Sequence, residues 1–173
     1  MEMMNGAIIV ESEKGMGATF YIDCPVGKQN TKTDSDSVEI SLEDIDAAYN
    51  ILYVEDNKSN QQLIQNLFET FPNLNLTIET SAEDGLRDVA RHNYDLILMD
   101  INLPGMDGYD ALKQLKLDAE TKDIPIIAIS ASAGLNEIKK GIEAGFKQYI
   151  TKPVMIPELI SVINKELNRV AKH

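Results

Sequence analysis

The chain has 173 residues, 43% of them hydrophobic, enough for one folded domain with a small appendage. Acids outnumber bases 28 to 16 and give a formal net charge of −12; this excludes non-specific nucleic-acid binding, which needs a Lys/Arg surplus, and suits a module that meets cations or a basic partner. A single cysteine, Cys24, excludes an internal disulfide and fits the cytoplasm, while no apolar run approaches the ~20 residues of a membrane span and residues 1–6 lack a signal-peptide pattern.

Residues 1–27 contain two short β-rich runs, Ala7-Ile8-Ile9-Val10 and Thr19-Phe20-Tyr21-Ile22, on either side of Gly15-Met16-Gly17. That pattern predicts a hairpin. A lone hairpin is marginal in water, so this zone reads as the end of something larger. Residues 28–37 carry no apolar side chain and predict a solvated linker. Ser41-Leu42-Glu43-Asp44 resembles a capping box, and a short helix is expected through Ala48.

From residue 49 onward, strand and helix signals alternate. Residues 50–54, 76–79, 94–99, 124–129 and 147–150 predict strands, several of them continuous apolar runs. Residues 59–71, 82–92, 109–117, 135–144 and 157–170 carry apolar side chains at helical spacing, and Gly145 is a good residue to close the fourth helix. Five β-α units with buried strands predict a doubly wound α/β fold. The expected sheet is five-stranded and parallel, flavodoxin-like in order 2-1-3-4-5, with helices on both faces and the hairpin as an N-terminal appendage.

Ligands of such sheets bind beyond the carboxyl ends of the strands, where the strand order reverses. The first predicted strand runs into Glu55-Asp56, the third into Asp100, the fourth into Ser130, and the fifth precedes Lys152-Pro153. Clustered carboxylates repel one another, and a hard divalent cation such as Mg²⁺ removes the conflict. Lys152 adds a point charge and Ser130 a donor for phosphoryl oxygens. Phosphoryl transfer asks for positioning and charge neutralisation, and Asp100 is the candidate nucleophile. Singly, each acid reads more readily as a turn or cap residue; four strand ends in the right order carry the signal.

These stretches are recognisable. Leu52-Tyr53-Val54-Glu55-Asp56-Asn57, Leu96-Ile97-Leu98-Met99-Asp100-Ile101-Asn102-Leu103-Pro104-Gly105-Met106-Asp107-Gly108, Ile127-Ala128-Ile129-Ser130-Ala131 and Tyr149-Ile150-Thr151-Lys152-Pro153 resemble the receiver domain of two-component response regulators. The resemblance implies that Asp100 is phosphorylated, that Asp56, Asp100 and the Asn102 backbone carbonyl bind Mg²⁺, and that Glu55 contacts the ion through water. It also implies that Ser130 and Lys152 hold phosphoryl oxygens, that Lys152-Pro153 is cis, and that the small Ala131 leaves the site open. Ser130 and Tyr149 take the switch positions, although Tyr149 reads as well as a half-buried strand tyrosine. Asn102 and Ser132 fall where family members tune phosphate loss.

Residues 4–20 are similar to the last strands of the histidine-kinase ATP-binding domain, without its nucleotide-binding boxes. Together the two resemblances imply part of a hybrid sensor histidine kinase: residues 1–27 as the end of the ATP-binding domain, 28–48 as linker, 49–173 as receiver. Whether this piece counts as an enzyme is open; it lacks the ATP site, and the receiver would catalyse its own aspartyl phosphorylation and dephosphorylation. The expected partners are a phosphohistidine domain as donor and a histidine phosphotransfer domain as acceptor. His92 and His173 read as surface residues. No output domain is expected after the last helix, and a relay role is expected in place of DNA binding. Open edges invite pairing, so the hairpin is expected to form a homodimer or to dock on its own receiver.

Competing readings are a receiver fold that binds partners without phosphorylation, a haloacid-dehalogenase-type hydrolase, a flavodoxin-like flavin carrier and a stand-alone receiver. The hydrolase places Asp-x-Asp after its first strand, whereas Glu55-Asp56-Asn57 stands there. The flavin carrier needs a phosphate-cradling loop at the same place, where two acids would repel the phosphate. The stand-alone receiver does not account for residues 1–27.

Overall fold

The computed structural model describes residues 7–13, 17–23 and 47–170. The chain divides into two units, Met1–Val38 and Glu39–His173. In the first, β1 (Ala7–Glu13) and β2 (Gly17–Asp23) pair antiparallel in a register from Ala7 opposite Asp23 to Glu13 opposite Gly17. The predicted hairpin is therefore present, each strand longer than its apolar run; the loop at 14–16 and the linker at 28–46 lie outside the described residues. The short helix expected through Ala48 does not reach that far, since Ala47 sits in a bend and Ala48 has no regular structure.

The second unit runs β3 (Tyr49–Val54), α1 (Lys58–Phe68), β4 (Leu74–Glu79), α2 (Ala82–Val89), β5 (Leu96–Asp100), α3 (Gly108–Leu117), β6 (Ile126–Ser130), α4 (Leu135–Ala144), β7 (Gln148–Thr151) and α5 (Ile156–Val170). Its five strands form a parallel sheet in the order β4-β3-β5-β6-β7. That is the expected 2-1-3-4-5 arrangement, and the order reverses between β3 and β5.

Strand side chains alternate between two faces, and each face has its own core. Ile51, Tyr53, Leu96, Leu98, Ile127 and Ile129 pack with Ile64 and Phe68 of α1 and Leu159, Ile163 and Leu167 of α5. Leu52, Val54, Ile97, Met99, Ile126 and Ala128 pack with Ala82 and Val89 of α2, Ala111, Leu112 and Leu115 of α3, and Phe146. Burying strands on both sides explains why their sequences are continuously apolar.

Helix starts follow local chemistry. The Asn57 carboxamide accepts from the Ser59 and Asn60 amides, Ser81 Oγ from Asp84, and the Asp107 carboxylate from Asp110. Each cap satisfies amides that a helix N-terminus leaves without partners. Gly145 closes α4 at φ +120°, a conformation that favours glycine.

Candidate functional site

The reversal of strand order sets β3 beside β5, with Val54 opposite Met99. Glu55 and Asp56, which follow β3, therefore reach Asp100, the last residue of β5. Oxygens of the three carboxylates lie within 4.8 Å of one another, with Glu55 and Asp100 buried and Asp56 exposed. Lys152 arrives from the far edge of the sheet: its amide donates to the Ser130 carbonyl at 2.7 Å, directly after β7. The Lys152 ammonium donates to Glu55 Oε2 at 2.7 Å and to Asp100 Oδ2 at 2.6 Å. The peptide bond to Pro153 is cis, as expected.

Each buried carboxylate gives its second oxygen to the backbone. Asp100 Oδ1 accepts from the Asn102 amide at 2.9 Å, and Glu55 Oε1 accepts from the Asn57 amide at 3.2 Å. The Tyr53 hydroxyl donates to Glu55 Oε2 at 2.9 Å, and the Gln61 carboxamide donates to the Glu55 carbonyl at 2.5 Å. These contacts fix both side chains, in part through donors on the loops that follow β3 and β5.

The electrostatics divide the two acids. Burial pushes Glu55 up, but hydrogen bonds from Lys152, Asn60 and Tyr53 outweigh it and leave the carboxyl below its ordinary range. Burial also pushes Asp100 up, and there Lys152 and the Asn102 amide do not offset it, so Asp100 is raised. Lys152 is raised, because its two carboxylate partners outweigh its own burial. One lysine thus pairs with both buried acids, and burial, with a smaller contribution from the Glu55 charge, leaves Asp100 the raised one.

Ser130 is buried at the end of β6, and its Oγ accepts from the Ser132 amide at 3.1 Å. Tyr149 donates to the Ser132 carbonyl at 3.1 Å. Asn102, Ser130, Ser132, Tyr149, Tyr109 and Lys140 line a cleft of about 470 Å³. So Glu55, Asp56, Asp100 and Lys152 converge tightly, while Ser132 and Tyr149 stand beside the cluster and Asn102 links the two regions.

Four contributors escaped the sequence reading. Tyr53 stood out only as part of the apolar run at 50–54, although it lies two residues before Glu55. Gln61 gave no signal. Gly108 is pressed against β5: its amide donates to the Ile101 carbonyl at 3.0 Å, and a Cβ there would lie 2.6 Å from the Asp100 carbonyl oxygen. Glu83 of α2 accepts the Met106 amide at 3.1 Å, across 23 residues of chain.

Three clustered carboxylates form an all-oxygen donor set, which fits a hard divalent cation such as Mg²⁺. What this edge provides is charge compensation around one carboxylate held in place, on a doubly wound sheet; that combination defines the phosphoacceptor class of signalling modules. Within that class the chain belongs to one family, since the response regulator receiver domain matches residues 51–164. It is 38% identical over 118 residues to the polar-differentiation response regulator DivK of Brucella ovis, covering 68% of this chain and 94% of that one. Among solved structures it is similar to the Francisella response regulator 1452 receiver domain, at 30% identity and a TM-score of 0.65, covering 70% of this chain and 98% of that one. It is also similar to the receiver domain of the sensor histidine kinase PA1611 from Pseudomonas aeruginosa, solved with a magnesium ion coordinated in the active-site cleft. That match has 31% identity and a TM-score of 0.64, and covers 70% of this chain and 99% of that one. The protein is a two-component receiver working in phosphorylation-based signalling, and receiver domains bind Mg²⁺ at an acidic pocket. Among the described residues, no helix is long and apolar enough to cross a membrane.

Proposed function

We propose that Asp100 accepts a phosphoryl group from a phosphohistidine and relays it to a second histidine domain. The observation that carries this reading is the Lys152 ammonium bridging Glu55 and Asp100 at 2.7 and 2.6 Å, with Asp56 in the same cluster. An Asp100 carboxylate oxygen attacks phosphorus as the P–N bond of the donor breaks, and the histidine nitrogen keeps the electron pair. The product is an acyl phosphate on Asp100. Lys152 compensates the charge that gathers there, and Ser130 donates to a phosphoryl oxygen. Glu55, Asp56, Asp100 and the Asn102 carbonyl would hold Mg²⁺, Glu55 through water; bound there, the ion neutralises phosphoryl charge. Relay reverses the transfer onto another histidine, and attack by water instead releases inorganic phosphate. Ser130 and Tyr149 form the switch, and Asn102 and Ser132 tune the phosphate lifetime.

The parent is a hybrid sensor histidine kinase, with residues 1–27 ending its ATP-binding domain, 28–48 as linker and 49–173 as receiver. Support comes from the resemblance of residues 4–20, from the β1–β2 pairing, and from the likeness to a receiver that is itself part of a sensor histidine kinase. The receiver works in the cytoplasm, and the hairpin pairs with a second copy of the chain.

Intact-mass spectrometry after incubation with Mg²⁺ and phosphoramidate tests the central claim. One phosphoryl group is expected on the wild type, none without Mg²⁺, and none on Asp100→Asn. A folded wild type that stays unmodified with both phosphoramidate and a phosphohistidine donor would favour a receiver that binds partners without phosphorylation.

A further inference from the structure

Glu83 lies outside the acid cluster and belongs to α2, yet it reaches the loop that follows Asp100. Its Oε1 accepts the Met106 amide at 3.1 Å. The preceding Gly105 takes φ +81°, and a Cβ built there would lie 2.9 Å from the same Glu83 oxygen. The carboxylate therefore sits directly over the Gly105–Met106 turn. The loop is tied at three further points: Gly108 N–H donates to the Ile101 carbonyl at 3.0 Å, Asn102 N–H to Asp100 Oδ1 at 2.9 Å, and Asp107 caps α3. Of these ties only Glu83 comes from α2; the Ile101 amide also donates to the Ile129 carbonyl of β6 at 3.0 Å, and the Gln114 carboxamide of α3 to Met106 Sδ at 3.5 Å. Ser81, which caps α2, and Ala82, which is fully buried, hold Glu83 on a fixed turn of helix.

We propose that Glu83 is a positioning residue for the acidic site, acting through the 101–107 loop on the orientation of Asp100 and on cation affinity. Resting on the receiver reading above, this assigns a role to a residue that meets neither ion nor phosphoryl group. The Met106 bond holds the loop down, the loop presents the Asn102 amide to Asp100 Oδ1, and that bond fixes the plane of the Asp100 carboxylate. A hydrogen-bond partner behind a ligand typically changes metal affinity by ten- to a hundredfold. Glu83 acts through the loop, so a smaller effect is expected.

The test is an amide NMR titration of the full chain with MgCl₂, reading the Asn102 and Met106 signals, alongside urea melts without metal. Glu83→Ala should weaken Mg²⁺ binding roughly three- to tenfold, while Glu83→Gln, which keeps the acceptor and loses the charge, should stay within about twofold of wild type. If Glu83→Ala does not fold, Glu83→Asp, one methylene shorter, should show the same weakening. Equal weakening in Glu83→Ala and Glu83→Gln would assign the effect to charge and overturn the proposal. Unchanged affinity in Glu83→Ala, even with reduced stability, would overturn it as well. A wild type that shows no Mg²⁺-dependent shift would defeat the receiver reading and this inference together, whereas a binding wild type with an indifferent Glu83→Ala defeats this inference alone.

Discussion

Replacing Gly108 by alanine separates two forces of opposite sign. Gly108 opens α3, and alanine is the better helix former by up to about 1 kcal/mol. Propensity alone would therefore predict a more stable protein. The added methyl, however, would sit 2.6 Å from the Asp100 carbonyl oxygen and 2.8 Å from the Ile101 Cα. The nearer contact falls short of an ordinary 3.4 Å by 0.8 Å, and both neighbours are backbone, which cannot rotate away. Overpacking costs about 1–3 kcal/mol, and a backbone clash belongs at the upper end. The net loss should be about 2 kcal/mol, near 1 M in the urea midpoint of a domain this size. Relief requires the 101–107 loop or the end of β5 to move, so phosphorylation should slow at least tenfold, given that ~1 Å of misplacement costs about a hundredfold. Urea melts by circular dichroism and a mass-spectrometric time course with phosphoramidate measure both quantities. Gly134→Ala is the comparison, with φ −68° and no foreign atom nearer than 3.9 Å; it should lose at most about 1 kcal/mol. A midpoint for Gly108→Ala at or above wild type would refute the packing argument. A destabilised variant with an unchanged phosphorylation rate would refute its link to the site.

Three more substitutions probe the charge cluster and its surroundings. Lys152→Met leaves two buried carboxylates without their cation; loss of one partner from a buried pair costs about 3–5 kcal/mol, and slight exposure of the lysine puts this case at the lower end. Thermal melts should show that deficit with chelator present and much of it recovered with Mg²⁺, and a melt that ignores Mg²⁺ would count against the assignment. Because Asp100 is raised, the native state pays to keep it ionised above its folded pKa, and that cost fades as the pH falls toward the unfolded value of about 4. Without metal at pH 7, Asp100→Asn should therefore be the more stable protein, its advantage shrinking on acidification; urea melts from pH 7 to 4.5 check this, and a constant gap would contradict it. The Tyr109 hydroxyl is buried without a hydrogen-bond partner among the described residues, so Tyr109→Phe should gain about 1 kcal/mol in the same melts, where a loss would reveal a partner for it.

The sheet was readable because burial on two faces leaves a plain mark. The apolar runs at 51–54, 96–99 and 126–129 cannot be amphipathic, and each halts at an acid or a hydroxyl. Differences from expectation have local causes. Helix α1 stops at Phe68 instead of residue 71 because the Leu67 carbonyl is taken by the Thr70 amide and hydroxyl, and Pro72 follows. Helix α2 stops at Val89 instead of residue 92: Asp88 takes the His92 ring at 3.0 Å and the Tyr94 hydroxyl, which ties the chain into a turn. Strand β5 starts at Leu96, two residues late, because the Asp95 carboxylate turns to accept the Asn50 amide at 2.8 Å. The supporting contacts were not readable. Glu83 meets Met106 across 23 residues and Lys152 meets Glu55 across 97, and no local pattern marks either pair.

The hydrogen bonds within the cluster suggest why one lysine suffices for both buried acids. Each buried carboxylate has one oxygen held by a backbone amide of the loop that follows its strand and the other held by Lys152. The amides cannot leave without moving those loops. The ammonium sits on four methylenes and is partly exposed, so it can be redirected at little cost. A change of charge at Asp100 should therefore register first in the partners of Lys152, while the Asn102 amide keeps Oδ1 in place. Such a division would let the site exchange counter-charge without rebuilding its frame. It also explains why the residues that anchor the frame, Gly108 and Glu83, carry no chemistry of their own.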